Sequence, residues 1–164
     1  MIALKDVLVA TDFSEASDAA LLYGRAVAVK FGARLHVVHV ADNIFTRALG
    51  PESAAMLPTV QTDIENAARD RLTELLIDTD RSGPPTESAV LTSSSAAFAI
   101  VDYARNNGID LIVTGTHGRT GLQHAVLGSV AERVVRMAPC PVLTVHHPEH
   151  EFVHPDTLVE VHKA

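Results

Sequence analysis

The residues with the clearest capacity for chemistry are Gly115, Gly118, Gly128 and Ser129, spaced as Gly-x2-Gly-x9-Gly-Ser. Gly115 and Gly118 come directly after the apolar run Leu111-Ile-Val-Thr114. Glycines there let a ligand reach the backbone, and positive φ angles at them would turn successive amides into an anion-binding nest. Gly128 and Ser129 open the next helical pattern, whose N–H groups and positive dipole end make a second anion site. Together the two suit a single polyphosphate. The plainer reading is that each glycine solves a local turn, while Ser129-Val-Ala-Glu132 is a capping box for its own helix.

A carboxylate completes the set. Thr11-Asp12 closes the apolar run Val7-Leu-Val-Ala10. If the chain reverses its winding between this strand and Leu111–Thr114, Asp12 lies beside the glycine loop. Its carboxylate would there meet a ribose hydroxyl or a nucleotide-bound Mg2+. Other chemistries are missing from the sequence. It has no Gly-x4-Gly-Lys-Ser/Thr phosphate loop, no Gly-x-Gly-x-x-Gly after the first strand and no Gly-x-Ser-x-Gly elbow. Cys140, between Pro139 and Pro141, reads as a packed small apolar residue.

The elements that must position these residues alternate. Asp6 to Ala10 reads as a strand buried on both faces. A helix follows from Ser14 to Phe31, with Ser14 as N-cap and Gly32 as C-cap. Arg34 to Val40 is a second strand. Ala41 to Pro58 lacks a period and is read as an excursion with one short helix near Ala48. Thr62-Asp-Ile-Glu65 predicts a capping box at the start of the next helix, which frays toward Asp80. Glu87 to Leu91 is a short third strand suited to a sheet edge, and Ala96 to Asn106 is a helix stopped by Gly108. Asp110 to Thr114 is the fourth strand, the last helix carries Val130, Val134 and Val135, and Pro141 to Val145 is the fifth strand. Strict alternation predicts an α/β fold with right-handed crossovers and a parallel sheet covered on both faces.

Composition narrows the partners. The chain has 164 residues, enough for one domain, with 47% hydrophobic and 20% charged residues. Its net charge of -7 repels a phosphate backbone, and five Phe, two Tyr and no Trp leave little for bases to stack on. Nucleic acid and anionic membranes are thus excluded as expected partners. A single cysteine, no leader-like N-terminus and no long apolar run predict a soluble cytoplasmic protein.

Several segments together resemble the universal stress protein family: Val7 to Ser14 (Val-Leu-Val-Ala-Thr-Asp-Phe-Ser), His39-Val40, Asp110 to Gly121, Leu127-Gly-Ser-Val130 and Cys140-Pro-Val-Leu143. The resemblance spans residues 3 to 147, and the glycine spacing satisfies every position of the family's nucleotide-binding pattern. It implies an open five-stranded parallel sheet in the order 3-2-1-4-5, a Rossmann-like adenine-nucleotide site across strands one and four, and a homodimer through residues 141–145. It also implies that Ala10, Thr11 and Asp12 line the adenosine and that Val40 meets adenine through its backbone. Thr114, Gly115, His117, Gly118 and Arg119 would line the ribose and phosphate approach, and Gly128, Ser129 and Val130 would bind phosphates. Ala131 stands where the family often has a hydroxyl residue, and Ser94-Ser95 replaces its usual Gly-x-Pro.

The expected cofactor is ATP, or AMP or ADP, with Mg2+ held through the nucleotide and no metal site made by protein alone. Three functions stay open. The first and favoured is a regulatory nucleotide-binding module of the stress response, with at most slow hydrolysis and an unidentified protein partner. The second is a dedicated ATPase, for which Arg119 is available but a Walker lysine is not. The third is a structural stress protein with an empty cleft. The expected domain covers residues 1–147, and 148–164 form an extension. His146, His147, His150, His154 and His162 crowd there, but their spacing fits no structural zinc motif. A solvated arm, or one laid over a neighbouring subunit, is favoured over a metal site.

Overall fold

The computed structural model describes residues 2–47, 56–77, 83–116 and 128–146. Strands β1 (Asp6–Thr11), β2 (Arg34–Asp42), β3 (Thr86–Ser93), β4 (Leu111–Gly115) and β5 (Val142–Val145) form one parallel sheet in the order β3-β2-β1-β4-β5. Helices α1 (Glu15–Phe31), α2 (Leu57–Ile77), α3 (Ala96–Asn106) and α4 (Ser129–Met137) connect them. The expected architecture and strand order are both realised. None of the described helices is long and apolar enough to cross a membrane.

Alternation along the strands decides which helix each side chain meets. Val7, Val9, Leu35, Val37, Val113 and Val145 pack with Ala19, Ala20, Leu21 and Ala28 of α1 and Leu72 of α2. Their neighbours Leu8, Val38 and Ile112 point the other way, onto Ala97, Ile100 and Ala104 of α3 and Val134 of α4. Side chains buried this completely contribute about 1.5–3 kcal/mol each, so the two faces define the register. At the amino edge the buried His36 ring is held between the Asp6 carboxylate and the Tyr103 hydroxyl, each at 3.1 Å. Cys140 is half-buried against the α3/α4 side, and burial pushes its thiol pKa up, as suits a packed apolar residue.

Helix termini divide into those the local sequence determines and those it does not. Ser14 caps α1 in a capping box with Ser17, and Gly32 ends it at φ 64°. By contrast, α2 begins at Leu57, so Thr62 lies inside the helix and donates to the Pro58 carbonyl at 2.8 Å. The Thr62 box is not formed, because Pro58 is at home in a first turn and Gln61 holds the preceding segment. Gln61 accepts from the Ile44 amide at 3.0 Å and donates to the Asp42 carbonyl at 3.2 Å. A short 3-10 turn at Ile44–Arg47 lies just before the predicted short helix, whose centre at Ala48 lies outside the described residues. Strand β3 is longer than expected because it pairs with β2 from Leu35↔Thr86 to Asp42↔Ser93, and it does occupy an edge.

Candidate functional site

The sheet order makes β1 and β4 neighbours although two strands, β2 and β3, and three helices, α1 to α3, separate them in sequence. They pair in parallel from Val7↔Leu111 to Ala10↔Thr114. The chain leaves β1 toward β2 and β3 on one side and resumes at β4 and β5 on the other, which opens a crevice at their carboxyl ends. A cavity of about 320 Å3 occupies this crevice. Of the residues named from the sequence, Ala10, Thr11, Asp12, Val40, Thr114, Gly115, Gly128, Ser129 and Val130 line it. His117, Gly118 and Arg119 lie outside the described residues, as do His147 and the extension 148–164.

The cavity has three chemically distinct parts. Val38, Val40, Ile100 and Ala96 supply an apolar wall between β2 and α3. Asp12 supplies a carboxylate at the end of β1. Gly128 and Ser129 bring the start of α4, whose first-turn N–H groups favour a negative charge. The cavity thus offers an apolar surface, a carboxylate that accepts hydrogen bonds and a helix terminus whose amides donate them. Among the described residues no cluster of three or more His, Cys, Asp or Glu could hold a metal ion.

Hydrogen bonds fix the loop that carries Asp12. Its Oδ1 accepts from the Ser14 amide at 3.1 Å and from the Ser14 hydroxyl at 2.5 Å. Ser17 donates its hydroxyl hydrogen to the Ser14 carbonyl at 2.8 Å, so the Thr11 hydroxyl is the donor in the 3.1 Å contact with Ser17 Oγ. Thr11 Oγ1 also accepts from the Phe13 amide at 3.0 Å. Thr11 therefore lines the cavity but spends its hydroxyl on the loop. The cluster is electronegative: burial first, and then the charge of Asp12, raise the pKa of nearby Asp18.

Gly115 does not take the positive φ expected of it in the anticipated nest, and Gly118 lies outside the described residues. Among the described glycines only Gly32 and Gly108 have positive φ. Gly115 is required by packing: a Cβ there would stand 2.8 Å from the Ala16 carbonyl oxygen of α1. Gly128 is the N-cap of α4 at φ -57° and ψ 147°, a conformation open to any residue. The expected Ser129 capping box is also absent. The helix starts one residue early, so Ser129 is its first residue, and Glu132 pairs with Arg136 at 2.9 Å instead.

Seven further residues line the cavity without having been singled out for it: Ser17, Val38, His39, Ala96, Ile100, Thr116 and Ala131. Ala96 and Ile100 were legible as one face of a helix, at i and i+4. His39 was not, because strand alternation assigns it to the face opposite Val38 and Val40. It reaches the site by its position at the end of β2, where it also borders a second cavity of about 570 Å3 against α2.

Comparison with known proteins agrees with this geometry. The model of the universal stress protein family matches residues 3–146. Universal stress protein MJ0531 of Methanocaldococcus jannaschii is 31% identical over 147 residues, covering 90% of this chain and 85% of that protein. The structure of universal stress protein UspA from Lactobacillus plantarum superposes with a TM-score of 0.78 at 25% identity, covering 88% of this chain and 99% of that one. The universal stress protein from Archaeoglobus fulgidus in complex with dAMP shares the fold, with a TM-score of 0.62 at 22% identity over 88% of this chain and 99% of that one.

Proposed function

The chain belongs to the universal stress protein family, and we propose that it works there as a regulatory adenine-nucleotide-binding module, with ATP, ADP or AMP as its ligand. The observation that carries this reading is the single crevice at the β1/β4 switch point, which joins an apolar wall, the Asp12 carboxylate and the start of α4. In this reading adenine lies along Val40 and Ile100, the ribose hydroxyls meet Asp12, and phosphates reach Ser129 and the first amides of α4. Gly118 and Arg119 of the glycine loop complete the phosphate contacts, with His117 and Thr114 beside the ribose. The complex of an Archaeoglobus fulgidus relative with dAMP supports the choice of ligand class.

A dedicated ATPase is less well supported. Asp12 is the only carboxylate among the described lining residues, and its Oδ1 already accepts two hydrogen bonds from Ser14. In-line attack on a γ-phosphate needs a group that orients water. The module is proposed to be one domain over residues 1–147, cytoplasmic, and dimeric through its last strand, with 148–164 as an extension.

Native mass spectrometry of the full chain, followed by calorimetry with ATP, tests the reading. The expected result is a dimer carrying one adenine nucleotide per subunit and displaceable by ATP. A chain that co-purifies with no nucleotide and gives no heat with ATP, ADP or AMP would overturn it.

A further inference from the structure

Phe13 is the one described residue other than glycine with a positive φ, at 63°. A bulky side chain in the left-handed region is disfavoured, and such residues persist where their surroundings hold them. Here three groups do so. The Phe13 ring lies against the His39 ring, with centroids 4.4 Å apart and planes tilted by 32°. Arg71 of α2 places its guanidinium carbon 4.3 Å from the Phe13 centroid. The Phe13 amide donates to Thr11 Oγ1.

His39 is itself fixed, since the Thr11 carbonyl can only accept, so Nδ1–H donates to it at 2.9 Å. The contacts form a closed circuit from Thr11 through His39 to Phe13, and back through the peptide of Asp12. Arg71 is the member that comes from another element. Its positive charge also faces Asp18, in the first turns of α1, and lowers that carboxyl's pKa against the effect of burial. Asp12 lies between Thr11 and Phe13 in this circuit, and its Oδ1 is held by the Ser14 amide and hydroxyl just beyond it.

We infer that Arg71 and Phe13 are positioning residues for Asp12, and that through it they set how strongly the crevice reads ribose hydroxyls. The inference rests on the nucleotide reading of that crevice. Arg71 does not itself line the nucleotide cavity and is exposed, so its replacement leaves the core intact. Its effect should therefore appear as a loss of selectivity, with the fold preserved.

Calorimetry of the full chain with ATP and with 2′,3′-dideoxy-ATP separates these contributions. The unmodified chain is expected to prefer ATP by about tenfold or more, the range of one lost charge-assisted hydrogen bond. Arg71→Ala is expected to cut that preference to about threefold or less by weakening ATP, with dideoxy-ATP changed by less than about twofold. Arg71→Lys, which keeps a cation over the ring, should restore most of the preference, and Phe13→Gly, which relieves the backbone but removes the ring, should lose it. Equal weakening of both nucleotides, or an unchanged ratio, in Arg71→Ala overturns the inference and leaves nucleotide binding standing. ATP binding without preference in the unmodified chain does the same. No ATP binding at all overturns both readings together.

Discussion

The backbone amide of Gly128 donates to the carbonyl of Thr116 at 2.7 Å. The residue that leaves β4 and the residue that caps α4 thus meet at the neck of the glycine loop. Thr116 is tied on its other side as well, where its amide donates to the Val145 carbonyl at 2.8 Å and its hydroxyl lies 3.1 Å from His146 Nδ1. Both loop ends are therefore anchored to β5 and to the α4 terminus. On the proposed nucleotide reading, a phosphate held by the loop would be delivered to the amides of Ser129 and Val130.

Replacing Gly128 tests that delivery. Its φ and ψ suit any residue, so Gly128→Val introduces little backbone strain, but a branched side chain would stand at the mouth of the helix terminus. ATP affinity is expected to fall by about tenfold or more, or 1.4 kcal/mol, in calorimetry. Gly128→Ser, which places a good N-cap there, should keep the helix and lose less. Equal ATP affinity in a folded Val variant would remove this terminus from the binding site.

Continuous apolar runs made the strands legible, because each central strand buries both of its faces against a helix layer, and the helix caps at Ser14 and Gly32 were legible because they are local. Thr62 and Ser129 misled because each lies within its helix and not at the N-cap. Each heads a Ser/Thr-x-x-Glu pattern, yet each glutamate has a better partner: Thr92 across the sheet edge for Glu65, and Arg136 one turn on for Glu132. A capping pattern says what is possible locally, and tertiary contacts chose otherwise. The cavity was legible through Asp12 and the glycine spacing. The Phe13–His39–Arg71 stack was not, because a residue from α2 closes it and no spacing in the sequence announces that contact.

Gly24 illustrates the same limit in the core and yields a stability prediction. Inside a helix a glycine costs about 1 kcal/mol against alanine, so propensity alone favours Gly24→Ala. Packing reverses the sign, since a Cβ at Gly24 would lie 2.2 Å from Cγ2 of Val9, itself wholly buried. Val9 is branched at Cβ and wholly buried, so its side chain or α1 must shift. Destabilisation of about 1–3 kcal/mol is expected in urea unfolding. A Gly24→Ala variant as stable as the parent would mean that α1 shifts at no cost.

The exposed edge of β5 bears on assembly. Leu143 is 37% exposed on a strand with a neighbour on one side only, β4. An apolar edge with unpaired backbone groups is a template for association, and pairing with a second copy would cover it. Leu143→Lys is expected to shift sedimentation velocity from dimer toward monomer while far-UV circular dichroism stays unchanged. A parent chain that sediments as a monomer would refute the proposed dimer directly.

The edge at the other side of the sheet has a pH signature. Glu65 of α2 accepts from the Thr92 hydroxyl of β3 at 2.7 Å, from Gln61 Nε2 at 3.2 Å and from Arg69 Nη2 at 3.3 Å. The Thr92 hydrogen bond first, then that of Gln61, hold its carboxyl below the ordinary glutamate pKa. A carboxylate with a folded pKa below its unfolded one adds stability above the unfolded value and loses it as pH falls through the folded one. Thr92→Val removes the leading cause, so Glu65 should titrate closer to an ordinary glutamate. The variant is then expected to be less stable than the parent at pH 7, with the gap closing as pH drops below the usual carboxylate range. Urea midpoints from pH 7 to about pH 3, with carboxyl carbon NMR of Glu65, read both effects in the same protein. A stability gap that stays constant across that range would mean that Thr92 contributes packing alone, with no hold on the Glu65 charge.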